Sequence, residues 1–282
     1  AFFITTSIAA ASLVVPLDRS SEALSYRAAA VSFGTLLAPP IAGYISDIWG
    51  FSLAFKIAIL TSIVNAVLCS LYRNNLGKPS EEHLRDISWK DAFNRIVIFT
   101  TLLAIFGGGV FSAFRSLLQT HYSDLGYPGS YYGLVMAMFS GITTLVRLIV
   151  PKLIGKDPSR SYLLALLGYI LILIATSLLF VMYKYPNSFV VTAIYGVGFG
   201  LTVPTIQHLI SYYTERGVRN RAMAIYAIGF DIGGFVGGLT FSYVAELYTY
   251  TNAYLVMTSF PIINVFLMLL YMLKYKVKEK SS

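Results

Sequence analysis

The sequence predicts an all-α integral membrane protein made of two related helix bundles. Three observations carry the prediction. First, 56% of the residues are hydrophobic and only 12% charged, with mean hydropathy +0.69; soluble domains carry about 25% charged residues. Second, the apolar residues fall in runs of about 20, the length at which a helix spans a bilayer, and none alternates as a strand does. Third, the chain repeats itself: shifting residues 19–43 by 199 positions lays Ala23 on Ala222, Leu24 on Met223, Gly34 on Gly233, Ala38 on Gly237 and Pro39 on Gly238. A repeat this long is two copies of a bundle rather than a solenoid unit.

Taken in order, residues 1–15 form an Ala-rich apolar stretch slightly short of a full span, and residues 16–21 a polar turn. A helix is expected over 21–45, closed by Ser46 to Gly50, and a second over 51–72. Residues 73–91 carry charges of both signs and form the longest linker. Six apolar segments follow, at 95–120, 130–150, 161–183, 188–213, 219–243 and 251–271, separated by short connections rich in Gly and Pro. The expectation is nine helices, the first incomplete, arranged as three plus six. That divides the chain into 1–72, the remnant of an N-terminal bundle; 73–94, a linker; 95–275, a C-terminal bundle; and 276–282, a tail.

Lys and Arg set the orientation. Alternate connections hold Arg19; Arg73, Lys78, Arg85, Lys90 and Arg95; Lys152, Lys156 and Arg160; Arg216, Arg219 and Arg221; and Lys274, Lys276, Lys278 and Lys280. The opposite connections hold only Lys184. The basic side faces the cytoplasm, so the long linker and the C-terminus are expected there. This distribution also accounts for the net charge of +8 without nucleic acid. His83, His121 and His208 are scattered and Cys69 is alone, which gives no metal-ligand spacing and no cofactor site. No phosphate loop or nucleophile elbow points to an enzyme.

Four stretches resemble the major facilitator superfamily. Gly34 to Gly43, with Ala38 and Pro39 inside, resembles the antiporter motif of the fifth helix, with Ala in place of Gly twice. Leu125 and Gly126 through Arg147 resemble the seventh-to-eighth helix region, Tyr195 to Thr205 the tenth helix, and Arg219 to Leu239 the eleventh helix of efflux-type members. The resemblance implies the major facilitator fold: two six-helix bundles that rock about a central cavity, with about nine of the twelve helices present and a monomer as the working form. The loop after the eighth helix departs from the family pattern, since Gly155 stands at the position of the motif's Asp. Arg147, Lys156 and Arg160 remain as inward-face charges.

Candidate site residues follow. If its helix starts near Arg219, Asp231 lies roughly 18 Å in, near the middle of the hydrocarbon. An acid at that depth is a candidate proton or cation site; the alternative is an acid satisfied by a tyrosine hydroxyl or a water. Arg115 lies roughly 30 Å along its helix from Arg95. It either snorkels to the headgroups or serves as a cavity cation, and its depth argues against a direct pair with Asp231. Arg27 is a candidate ligand contact, with structural pairing to Glu22, five residues back, as the first expectation. Gln207 and His208 lie toward the cytoplasmic end of their helix, where His208 is a proton relay or a structural residue.

Gly34, Ala38, Pro39 and Gly43 are expected to shape and kink a helix and let another approach. Glu215, Arg219 and Arg221 form a solvated turn, with a subset available as an inward latch. Tyr195, Phe199, Tyr226 and Phe230 line a pocket or pack. The expected partners are a small organic solute, protons and the lipid bilayer of the cell membrane. Proton-coupled export is the first expectation. The rivals are an importer of a sugar or organic acid, and a non-transporting receptor or inactive fragment.

Overall fold

The computed structural model describes residues 20–72, 89–154, 158–215 and 218–279. The segment at 1–15 and most of the linker lie outside them. Every other segment expected to be helical is so, and no strand occurs among the described residues. In hydrocarbon a backbone must satisfy its own polar groups, which a helix does within one segment.

The long helix α1 spans Ser20–Tyr72. It runs unbroken through Pro39 and Pro40 and is interrupted at Gly50, at φ 77° and ψ 167°. The interruption falls within Ser46 to Gly50, the stretch expected to close the first helix, at a position where only glycine adopts the backbone angles without strain; Pro39, expected to kink the helix, does not interrupt it. A short 3-10 turn, Trp89–Ala92, leads into α2, Arg95–Asp124. Asn94 caps α2, its side chain accepting from the Val97 amide at 2.9 Å. Next come α3 (Gly129–Ile154), α4 (Pro158–Met182), α5 (Ser188–Tyr213) and α6 (Arg219–Leu247). The last expected segment is two helices, α7 (Tyr250–Met257) and α8 (Ser259–Glu279), which turn at Thr258. Pro261 explains the division, because it has no N–H to give the Met257 carbonyl. Among the described residues seven helices are long and apolar enough to cross a membrane, with α7 and α8 sharing one span.

Small residues set which helices touch. Gly229, Gly233 and Gly237 recur every four residues on α6 and meet α2 along Thr101, Ile105 and Gly109. Both series rise together, so the two helices are parallel. A methyl group on Gly233 would overlap the Ile105 carbonyl, and one on Gly108 would overlap that of Phe230. Gly196 and Gly200 of α5 make a second parallel seam, against Phe139 to Val146 of α3. Gly168 of α4 and Gly198 of α5 meet in an antiparallel pair. Without a hydrophobic drive between helices in lipid, close backbone approach is what holds such seams together.

In the fifth-helix-like motif, Gly43 is buried against Gly129, and Pro39 lies against Gly133 of α3. No described residue lies within 4 Å of where a Cβ on Gly34 would be, and Ala38 is exposed. Asp47 reaches from α1 to the start of α3, where its carboxylate accepts from the Gly129 and Ser130 amides.

The core is aromatic. Phe114 stacks on Tyr195 at 4.4 Å and Phe111 on Phe199 at 4.7 Å. At the end holding the α2–α3 and α4–α5 turns, here called distal, His121 is sandwiched between Tyr183 and Tyr250 and bonds Tyr254 at 3.0 Å. The outward faces carry exposed Leu145, Leu148, Phe235, Leu239 and Phe266, as a lipid-facing surface requires.

Candidate functional site

One face of α2 carries Gly108, Phe111, Ser112, Arg115, Ser116 and Gln119. Their spacing of three, four and seven residues is a single helical stripe. The α2–α6 glycine seam brings Phe230, Asp231 and Gly234 alongside it, and Tyr132 arrives from α3. Together they line an open cleft of about 460 Å3.

Asp231 is exposed to this cleft and has no hydrogen-bond or ion-pair partner among the described residues. Leaving a carboxylate on a membrane-spanning helix without a protein partner costs at least a few kcal/mol in hydrocarbon, so the open cleft is where it finds water or a ligand. Arg115 opens onto the same cleft. Its guanidinium stands 5.4 Å from the Phe111 ring centre, and its backbone carbonyl accepts from the Tyr132 hydroxyl at 3.2 Å. Phe230 packs at Gly108, so Arg115 sits six residues, about 9 Å, farther along the bundle than Asp231. The two charges share one compartment without pairing.

The remaining candidates fall elsewhere. Gln207 is exposed, and His208 is tied by Nδ1 to the Ser161 hydroxyl at 2.9 Å, which joins α5 to α4. Arg147, expected at the opening of a loop, lies instead two turns inside α3, because that helix continues through Pro151 to Ile154. Its guanidinium is 5.6 Å from the Phe199 ring centre, and its buried Nε has no hydrogen-bond partner among the described residues. Arg219, expected in a solvated turn, is half-buried and donates to the Ser211 carbonyl at 2.7 Å. It thereby closes the α5–α6 corner on carbonyls left over at a helix end. Arg221 is half-buried in the first turn of α6, while Arg160 and Glu215 are exposed. The side chain of Arg27 and the whole of Lys156 lie outside the described residues.

Tyr195 is packed at 1% exposure. Phe199, Tyr226 and Phe230 line a small cavity of about 20 Å3 next to the cleft, together with Asn264. Phe230 therefore stands between the cleft and the interior. Ser112, Ser116, Gln119 and Tyr132 are cleft residues that sequence reasoning missed. The polar stripe on α2 was the available signal, since 112, 116 and 119 fall on the face of Arg115.

The fold and the cleft define a multi-pass, all-helical membrane protein with a polar, charged compartment set among its spans. The sequence model of the Major Facilitator Superfamily matches residues 1–237. The chain belongs to that superfamily. It is similar to the "Multi-drug resistance efflux pump PmrA" of Streptococcus pneumoniae, at 23% identity over 88% of this chain and 63% of that protein. It is also similar to the "Multidrug resistance protein MdtG" of Dickeya zeae, at 22% identity over 94% of this chain and 66% of that protein. MdtG of Klebsiella pneumoniae matches at 22% identity over 93% of this chain and 65% of its own length. The chain thus spans a little under two thirds of the length of these curated relatives.

Proposed function

We propose that the protein is a secondary active transporter of the cell membrane that exports a small organic solute in exchange for protons, by alternating access. The observation that carries this reading is Asp231: a carboxylate on a membrane-spanning helix, facing an open cleft and without a partner among the described residues. The names of the efflux relatives support the direction of transport.

With Asp231 ionised, the cleft holds one negative and one positive charge. With Asp231 protonated, only the Arg115 charge remains. At an effective dielectric constant of about 20, two unit charges about 9 Å apart interact by about 1.8 kcal/mol. A proton on Asp231 therefore changes what the cleft accepts, and proton and solute binding become coupled through that one group. Residues 1–72 and 95–275 act as parts of two halves that rock about the cleft, with the linker and the C-terminus in the cytoplasm and the protein working as a monomer.

The test is efflux from cells expressing the full chain, loaded with a panel of fluorescent organic solutes, with and without a protonophore. Export of at least one solute that the protonophore stops supports the reading. Export that persists without a proton gradient, or solute uptake driven by that gradient, overturns proton-coupled export.

A further inference from the structure

The first amides of α3 are held by an acid from another helix. Asp47 accepts the Gly129 amide at 2.6 Å on Oδ1 and the Ser130 amide at 2.9 Å on Oδ2. The opening N–H groups of a helix have no partner inside it, and the positive end of its dipole favours a carboxylate. Helices are usually capped by a residue just ahead of them in sequence; here the cap comes from 82 residues away.

The surroundings make this contact all-or-none. A methyl on Gly43 would lie 2.6 Å from the Gly129 carbonyl oxygen, and one on Gly133 would lie 2.6 Å from that of Pro39. With the two backbones already touching, a separation of about 1–2 Å takes both hydrogen bonds past useful length. Asp47 is also exposed, so water can replace both amides once the helices part. The joint sits at the distal end, within one turn of Tyr132 on the cleft wall.

We propose that Asp47 is a conformational latch. It clamps α1 to the distal end of α3 in the state seen here and releases when the distal mouth opens. The proposal rests on the reading that α1 and α3 belong to halves that move against each other. Losing a doubly bonded cap at a helix N-terminus shifts the closed-to-open ratio by about tenfold.

The experiment places spin labels at Tyr44→Cys and Leu125→Cys, both exposed sites, in a Cys69→Ser background of the full chain in lipid nanodiscs. Distances between labels are read by pulsed electron resonance. The expected result is two distances, the shorter dominant, with Asp47→Ala raising the share of the longer one by about tenfold. Asp47→Asn keeps one acceptor oxygen without the charge and gives a smaller shift in the same direction. It carries the test if the alanine variant does not fold. Two distances in unchanged proportion in these variants overturn the latch alone. A single distance in every variant overturns the latch and the rocking of the halves together. A responsive latch in a protein without proton-coupled export leaves the latch standing and sinks the transport reading.

Discussion

Gly233 is where the structure predicts the sharpest response to one added methyl. On α6 this position faces the Ile105 carbonyl of α2, and a Cβ there would overlap both the oxygen and the carbon of that group. The obstacle is backbone, so no side chain can rotate away. α2 and α6 must separate, which also loosens the contacts at Gly108 and Gly237 on the same seam. Overpacking a tight site costs about 1–3 kcal/mol. For a chain of this size each kcal/mol moves the melting midpoint by about 2–4 °C, so Gly233→Ala should lower it by about 2–12 °C. Gly34→Ala is the matched control, since no described residue lies within 4 Å of its Cβ position and alanine is the better helix former by about 1 kcal/mol. Melting of the purified chain in one detergent, followed by size-exclusion chromatography after heating, reads both. The seam argument is refuted if Gly233→Ala melts with the unmodified protein, or if Gly34→Ala costs as much.

Asn94→Ala removes the α2 cap and the Asn94 contact with the Tyr213 carbonyl; a loss of about 1 kcal/mol is expected, visible as a lower midpoint in the same melting assay. Arg219→Ala uncovers the Ser211 carbonyl at the α5–α6 corner. It should cost about 1–2 kcal/mol, with Arg219→Lys intermediate. His208→Ala breaks the Ser161 link outside the cleft, so it should lower the midpoint while solute-driven proton flux stays as in the unmodified protein.

Much of the architecture was legible because lipid imposes simple rules. Apolar runs long enough to span the bilayer must be helices, and the repeated glycines on α6 had to meet another backbone closely. The place of Asp231 twelve residues into a helix that starts at Arg219 followed from counting along the sequence, which assumes nothing about its neighbours. What the sequence hid was contact between distant segments. The Asp47 cap joins residues far apart in sequence, and nothing local to either marks it. Gly34 was read with Gly43 as one packing motif, yet only Gly43 reaches α3, because the helices touch near the distal end and not at Gly34. The two prolines suggested a kink at Pro39, but the helix runs through them; the break comes at Gly50, where the backbone needs a positive φ, inside the stretch expected to close the first helix. Arg219 looked solvated by its charged neighbours, but the free carbonyls at the end of α5 draw its guanidinium in. Arg115 was visible as a charge at depth. The stripe of Ser112, Ser116 and Gln119 that makes its surroundings polar had to be placed on a helix face before it read as a site.

The central claim is that Asp231 couples proton movement to solute movement. The most direct test is proton flux into proteoliposomes carrying the full chain, unmodified or Asp231→Asn, with a pH-sensitive dye inside and a panel of organic solutes applied. The account predicts solute-dependent flux in the unmodified protein and its loss in Asp231→Asn, with both proteins melting alike. Equal flux in the two would contradict it and move the coupling group away from Asp231.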